Sequence, residues 1–195
     1  MRKSNYSLSE CLFNVICLIK TKIFYNKCRL IRFPIVVRGK RYIDFGYNLT
    51  TGRQCQIEVN GVHDHVCLCF GKNINIGNNV RIQCAEKISI GDNVLMGSRI
   101  TIIDNSHGSY SGEVQDNPSS EPDKRMLKTE NISIGNNVWI GDGVVIQSGV
   151  KIGDGCVIAA NSVVTKSFPD STMLAGVPAN AIKVFNDESM KWEKV

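Results

Sequence analysis

Ile134, Ile140, Ile146, Ile152, Ile158 and Val164 recur every six residues without a break. With Ile, Val and Leu making up about a quarter of the chain, one preset ladder of this length arises by chance with a probability on the order of a few in ten thousand. Ile132, Val138, Val144 and Val150 each lie two residues before an anchor, so the apolar positions are spaced two, four, two, four. A two-residue step is the alternation of a short strand with one buried face, and the four-residue gap has to turn a corner. A helix is excluded over this stretch, because a six-residue period walks the apolar residues around the helical cylinder.

The corners carry suitable residues: Gly135-Asn136-Asn137, Gly141-Asp142-Gly143, Gly149 and Gly153-Asp154-Gly155 accept positive φ at little cost. An imperfect copy lies upstream in Phe70, Ile76 and Ile82, followed after a two-residue offset by Ile90, Met96 and Ile102. Phe45, Thr51 and Ile57 are a fainter version. The pattern predicts about five coils of three short strands wound around a triangular prism, an all-β solenoid in which stacked units share one core.

With 195 residues, 43% hydrophobic and 21% charged, the chain is sized for one packed domain and is neither disordered nor low in complexity. Its eight cysteines have no C-x-x-C spacing and read as reduced thiols of a cytoplasmic protein. Residues 1–45 hold ten Lys or Arg against Glu10 and Asp44, so the net charge of +5 belongs to the N-terminal segment. Within it, Leu8, Leu12, Val15, Ile16, Ile19 and Ile23 follow helical spacing, with Arg2, Lys3, Lys20 and Lys22 at the ends. The expectation is an amphipathic cap packed on the main domain, with peripheral contact to an anionic membrane face as a further hypothesis. The apolar run is too short for a membrane span and, broken by Glu10 and Asn14, a poor signal peptide. Nucleic-acid binding is disfavoured, since no base-reading motif accompanies the basic residues.

The repeat, together with VVTKSFPDSTMLAGVPANAIK at 163–183, resembles the hexapeptide-repeat acyltransferases, and most of all the bacterial sugar and polysaccharide O-acetyltransferases. The resemblance implies a left-handed parallel β-helix over 45–184, between an N-terminal helical cap at 1–44 and a tail at 185–195. It also implies a homotrimer, with each site shared between neighbouring subunits.

The pattern fails between Ile103 and Ile132, where a protruding loop at 104–131 contains DNSHGSYSG and EPDKRML. Connections of this length inside a regular solenoid are uncommon unless functional. The loop holds His107, one of three histidines. Acetyl transfer to a hydroxyl needs a base, imidazole suits that task, and relatives use a histidine of this loop for it. Asp104 and Asn105 are candidates to hold the acceptor or orient the ring, although turn chemistry selects the same residue types. Tyr110 and Arg125 read as loop packing. His63 and His65 alternate as metal ligands can, but neither stands one coil of three hexapeptides from His107, and no metal is expected.

Acetyl-CoA is the donor that the resemblance implies. By that resemblance Trp139 lines the pantetheine channel, the backbone at Ala160 bonds the arm, Thr165 and Lys166 approach the nucleotide end, and Lys183 meets a phosphate. Asn180 stands where many relatives carry a cation, and Ala159-Ala160 where they often have Gly-Ala. The expected activity is O-acetylation of a sugar or lipid-linked glycan. Amino-sugar or xenobiotic acetylation and a non-catalytic binding scaffold are the alternatives.

Overall fold

The computed structural model describes residues 6–195. Arg2 and Lys3, expected at one end of the basic helix, lie outside the described residues. Three sheets of parallel strands run along the molecule, and the chain visits them in the same order on every turn. The first face stacks Ile35–Arg38, Cys55–Val59, Arg81–Cys84, Thr101–Ile103, Val145–Ile146 and Val163–Val164. The second stacks Ile43–Asp44, Leu68–Phe70, Ile88–Ile90, Ile132–Ile134 and Lys151–Ile152, and Phe168 continues it by a bridge to Ile152. The third stacks Thr50–Thr51, Asn75–Ile76, Leu95–Met96, Trp139–Ile140, Val157–Ile158 and Thr172–Gly176.

The six-residue ladder becomes three in-register columns. Val37, Ile57, Ile82, Ile102, Ile146 and Val164 pair down the first face. Phe70, Ile90, Ile134 and Ile152 pair down the second. Thr51, Ile76, Met96, Ile140, Ile158 and Leu174 pair down the third. From Ile57 onward the column residues are at most 5% exposed, because every short strand turns one side chain inward and parallel stacking sets like positions above one another. Buried Cys28, Cys55, Cys67, Cys84 and Cys156 fill gaps in this interior. Burial pushes the Cys28 thiol up to about 11, and Cys84 also rises, so these thiols stay protonated and pack as small apolar groups.

The expected five coils beginning at residue 45 are six, and pairing begins at Ile35. Val37 escapes the period because a short 3-10 helix at Lys40–Tyr42 lengthens the first corner, and the period breaks again after Ile57, where residues 60–67 bulge out of the next turn's first corner. The segment 185–195, expected as a tail, is built into the third sheet. Ala179–Asn186 runs antiparallel to Thr172–Gly176, and Lys191–Lys194 closes a hairpin on which Trp192 meets Phe185 at 5.5 Å.

At the corner between the second and third faces, Asn48, Asn73, Asn93 and Asn137 all have positive φ, between 56° and 64°. Their amides form a ladder, each Nδ2 donating to the next Oδ1 at 2.8, 3.0 and 3.2 Å. Asn tolerates this conformation better than residues with a plain Cβ branch, and the ladder satisfies the amides. Asn93→Ala is expected to cost about 2 kcal/mol, a fall in Tm of roughly 4–8 °C for a chain of this size. In thermal unfolding, Asn93→Gly should recover the backbone part alone; equal losses in both variants would remove the conformational explanation.

Helix α1 spans Leu8–Phe24 and opens with a capping box, in which the Ser7 side chain accepts from the Glu10 amide and the Glu10 carboxylate accepts from Ser7 N–H. It docks through its less apolar side. Thr21, fully buried, donates to the Cys17 carbonyl at 2.7 Å and accepts from Ile31 N–H at 2.8 Å. Asn14 Oδ1 accepts from Arg32 Nε at 3.0 Å, and the Arg53 guanidinium lies over the Phe13 ring. The expected packing of the apolar stripe against the domain is therefore reversed. Leu8, Leu12, Val15, Ile16, Ile19 and Ile23 are all exposed, and Cys17 with Thr21 forms the buried contact. No helix among the described residues is long and apolar enough to cross a membrane.

Candidate active site

The loop between Ile103 and Ile132 is an ordered arm. It leaves the edge joining the first and second faces as an antiparallel ribbon of Asn105–His107 against Leu127–Thr129. Its root is Asp104, whose side chain is completely buried. The carboxylate accepts from the backbone N–H groups of Ala85, Glu86 and Lys87 at 2.7, 2.9 and 3.0 Å, and from Asn105 Nδ2 at 3.1 Å. Its carbonyl receives the Glu130 N–H at 3.0 Å where the arm returns. Asp104, a candidate to hold the acceptor or orient the ring, is sealed inside, because three otherwise unpaired donors of the preceding coil converge on it.

Residues alternate across the ribbon, so Asn105 and His107 project from one side and Ser106 from the other. His107 is exposed, and among the described residues its ring nitrogens have no hydrogen-bond partner. Its backbone is braced: the Tyr110 hydroxyl donates to the His107 carbonyl, and Arg125 Nη1 donates to the Tyr110 oxygen at 2.8 Å. Arg125 also reaches Ser120 O and Oγ at 2.7 and 2.9 Å, closing the tip. Gly108 has φ of +100°, and a Cβ there would meet Arg125 and Asp116 at 3.0 Å, so glycine is required beside the histidine. Tyr110 and Arg125 thus order the arm, as their residue types suggested.

The proposed donor residues fall elsewhere. Trp139, 53% exposed, lies in an outward row on the third face between Leu95 and Val157, and the row continues through Met173 to Lys183. Ala160 is exposed at the corner after Val157–Ile158. Thr165 and Lys166 are exposed at the edge that also launches the arm, two coils further on; Lys166 Nζ donates to Asn180 Oδ1 at 2.9 Å. One prism therefore groups Trp139 with Lys183 and sets His107 on the edge opposite their face.

His63 and His65 lie in the bulge at 60–67. His63 Nε2 bonds the Asn60 carbonyl at 2.7 Å and His65 Nδ1 bonds Asp64 at 2.7 Å. Among the described residues no group of three or more His, Cys, Asp or Glu side chains is arranged to hold a metal.

A family model described as bacterial transferase hexapeptide (six repeats) matches residues 131–166. WbbJ of Escherichia coli (strain K12), named as an O-acetyl transferase of lipopolysaccharide biosynthesis, is 38% identical over 175 residues, which is 89% of this chain and 88% of the relative. The chain belongs to the hexapeptide-repeat acyltransferases. The galactoside O-acetyltransferase of the same strain is also 38% identical, over 65% of this acyltransferase and 61% of its own length. Among solved structures, AntD, an N-acyltransferase from Bacillus cereus crystallised with a dTDP-sugar and coenzyme A, superposes with a TM-score of 0.69 at 22% identity, covering 94% of this acyltransferase and 92% of AntD. At that identity the likeness speaks for the fold of the acyltransferase alone.

Proposed function

We propose that this acyltransferase moves the acetyl group of acetyl-CoA to a hydroxyl of a sugar or lipid-linked glycan, with His107 as general base. The observation that carries this reading is the arm: Asn105 and His107 share one side of a rigid ribbon, and the ring is open to solvent. Asn105 holds the acceptor hydroxyl beside the imidazole. His107 takes the hydroxyl proton as the oxygen bonds to the thioester carbonyl carbon, and returns it to the coenzyme sulfur as the carbon–sulfur bond breaks. Asp104 acts by fixing the root of the arm.

The donor lies along the third face, with pantetheine against Trp139, the backbone at Ala160 bonding the pantetheine and Lys183 toward the phosphates, while Thr165 and Lys166, on the edge that launches the arm, meet the nucleotide end of the donor held by a neighbouring copy. Within one prism the imidazole and that face point apart, so the site closes between copies. The reading is a homotrimer of left-handed prisms, in which the arm of one chain reaches the donor groove of its neighbour, as closed cyclic symmetry allows. The working unit is the prism over 45–184 with its arm at 104–131, acting in the cytoplasm where reduced thiols persist.

The test is incubation with labelled acetyl-CoA and a panel of nucleotide sugars and lipid-linked oligosaccharides. A base-labile acetyl ester on one acceptor is the expected product. An alkali-stable amide would replace the hydroxyl by an amine, and absence of both donor binding and transfer would leave a scaffold. Trp139→Ala is expected to weaken coenzyme A binding roughly 10- to 100-fold, through lost apolar contact of about 1.5–3 kcal/mol. Calorimetric titration measures this, and an unchanged Kd would place the pantetheine elsewhere.

A further inference from the structure

We infer that α1 is a membrane-contact element, laying its outward apolar ridge on the surface of an anionic bilayer. At 100° per residue, Asn14, Cys17 and Thr21 point to one side of the helix, whereas Leu8, Leu12, Val15, Ile19 and Ile23 point to the other. The first set grips the prism through the Thr21 hydrogen bonds and the Asn14–Arg32 contact. The second set is 88, 62, 52, 56 and 66% exposed. An amphipathic helix ordinarily buries its apolar side. Here the docking is polar, and a continuous apolar ridge about 25 Å long faces away from the protein.

Charge selects the occupant. On the helical wheel Lys20 and Lys22 fall on opposite flanks of the ridge, and both are exposed, Lys20 Nζ resting over the Phe33 ring at 5.2 Å and Lys22 Nζ donating to the Cys28 carbonyl at a long 3.5 Å. The one acid of the helix, Glu10, is turned toward the docked side and engaged by Ser7. Two copies meeting ridge to ridge would bring four lysines together, at a like-charge cost. A plane of anionic headgroups attracts both flanks while its acyl boundary takes the ridge. A convex ridge also needs no matching groove. Since the helix is too short to span, it lies flat. The inference stands apart from the transfer chemistry and is tested without it.

The experiment is flotation of the full chain with phosphatidylcholine vesicles, either neutral or containing about 30% phosphatidylglycerol. The unaltered protein is expected to float with the anionic vesicles and at least tenfold less with the neutral ones. Leu12→Glu with Ile19→Glu should abolish flotation, and Lys20→Gln with Lys22→Gln should weaken it about 30-fold, roughly fivefold per charge. Because every substituted side chain is exposed and the lysines make only a long surface hydrogen bond and one exposed ring contact, mass by light scattering should stay that of the parent and Tm should fall by no more than a few degrees. Failure of the parent to float on anionic vesicles overturns the inference. So does flotation that survives the glutamates, or a glutamate variant whose assembly mass falls, which would give the ridge to a second copy.

Discussion

His107→Ala is expected to lower kcat by about 10² to 10⁴, the usual contribution of a positioned general base, equivalent to roughly 3–5.5 kcal/mol in the barrier. Nothing in the fold leans on the ring: it is exposed and makes no hydrogen bond among the described residues. Tm and the Kd for coenzyme A should therefore match the parent. What holds the arm is the His107 backbone, paired with Leu127 and capped by Tyr110, and the substitution keeps that backbone. Steady-state kinetics with saturating donor separate the outcomes. A variant that keeps more than about a tenth of parent turnover would remove the imidazole from the chemistry.

Asp104→Ala is expected to cost stability first and activity through it. The substitution strips a buried carboxylate from three converging backbone N–H groups and from the Asn105 amide, all at 2.7 to 3.1 Å. Donors left unpaired in the interior cost far more than the same donors in water, and about 3–5 kcal/mol is expected in urea denaturation. Asp104→Asn keeps one acceptor oxygen and turns an N–H₂ toward a second donor, so its loss should be intermediate. Limited proteolysis within 105–130 should quicken in both variants, since the root of the arm loosens. A loss below about 1 kcal/mol would mean that the coil beneath relaxes and finds water.

The ladder from Ile134 to Val164 announced its own columns, because each anchor is a strand position and parallel stacking repeats it without offset. The upstream columns were legible less cleanly, from Phe70 to Ile102 across a two-residue offset between Ile82 and Ile90. The first turn was legible only in Phe45 and Thr51: the 3-10 helix before Ile43 lengthens the step from Val37 to Phe45 to eight residues, so Val37 falls off the spacing on which the reading depends. Asp104 stayed hidden for a different reason. A carboxylate at a loop entrance reads as solvated, and only tertiary structure shows the amides of Ala85, Glu86 and Lys87 converging on it. Periodicity in α1 identified which side is apolar, but not which side meets the domain. Thr21 decides that by bonding Ile31, a long-range contact without a sequence signal. The split of Trp139 and Lys183 from His107 likewise follows from the order of the faces, which spacing alone does not reveal.

That split supplies the sharpest test. Two inactive forms are prepared, one with His107→Ala and one with Trp139→Asp and Lys183→Glu, then co-refolded in equal amounts. If the arm of one chain serves the donor face of another, random assembly restores both halves in about a quarter of the sites, and about a quarter of parent turnover returns. Turnover that stays at the level of the separate variants in assemblies proven to be mixed would contradict the account, because the imidazole and the donor face would then have to work within a single chain.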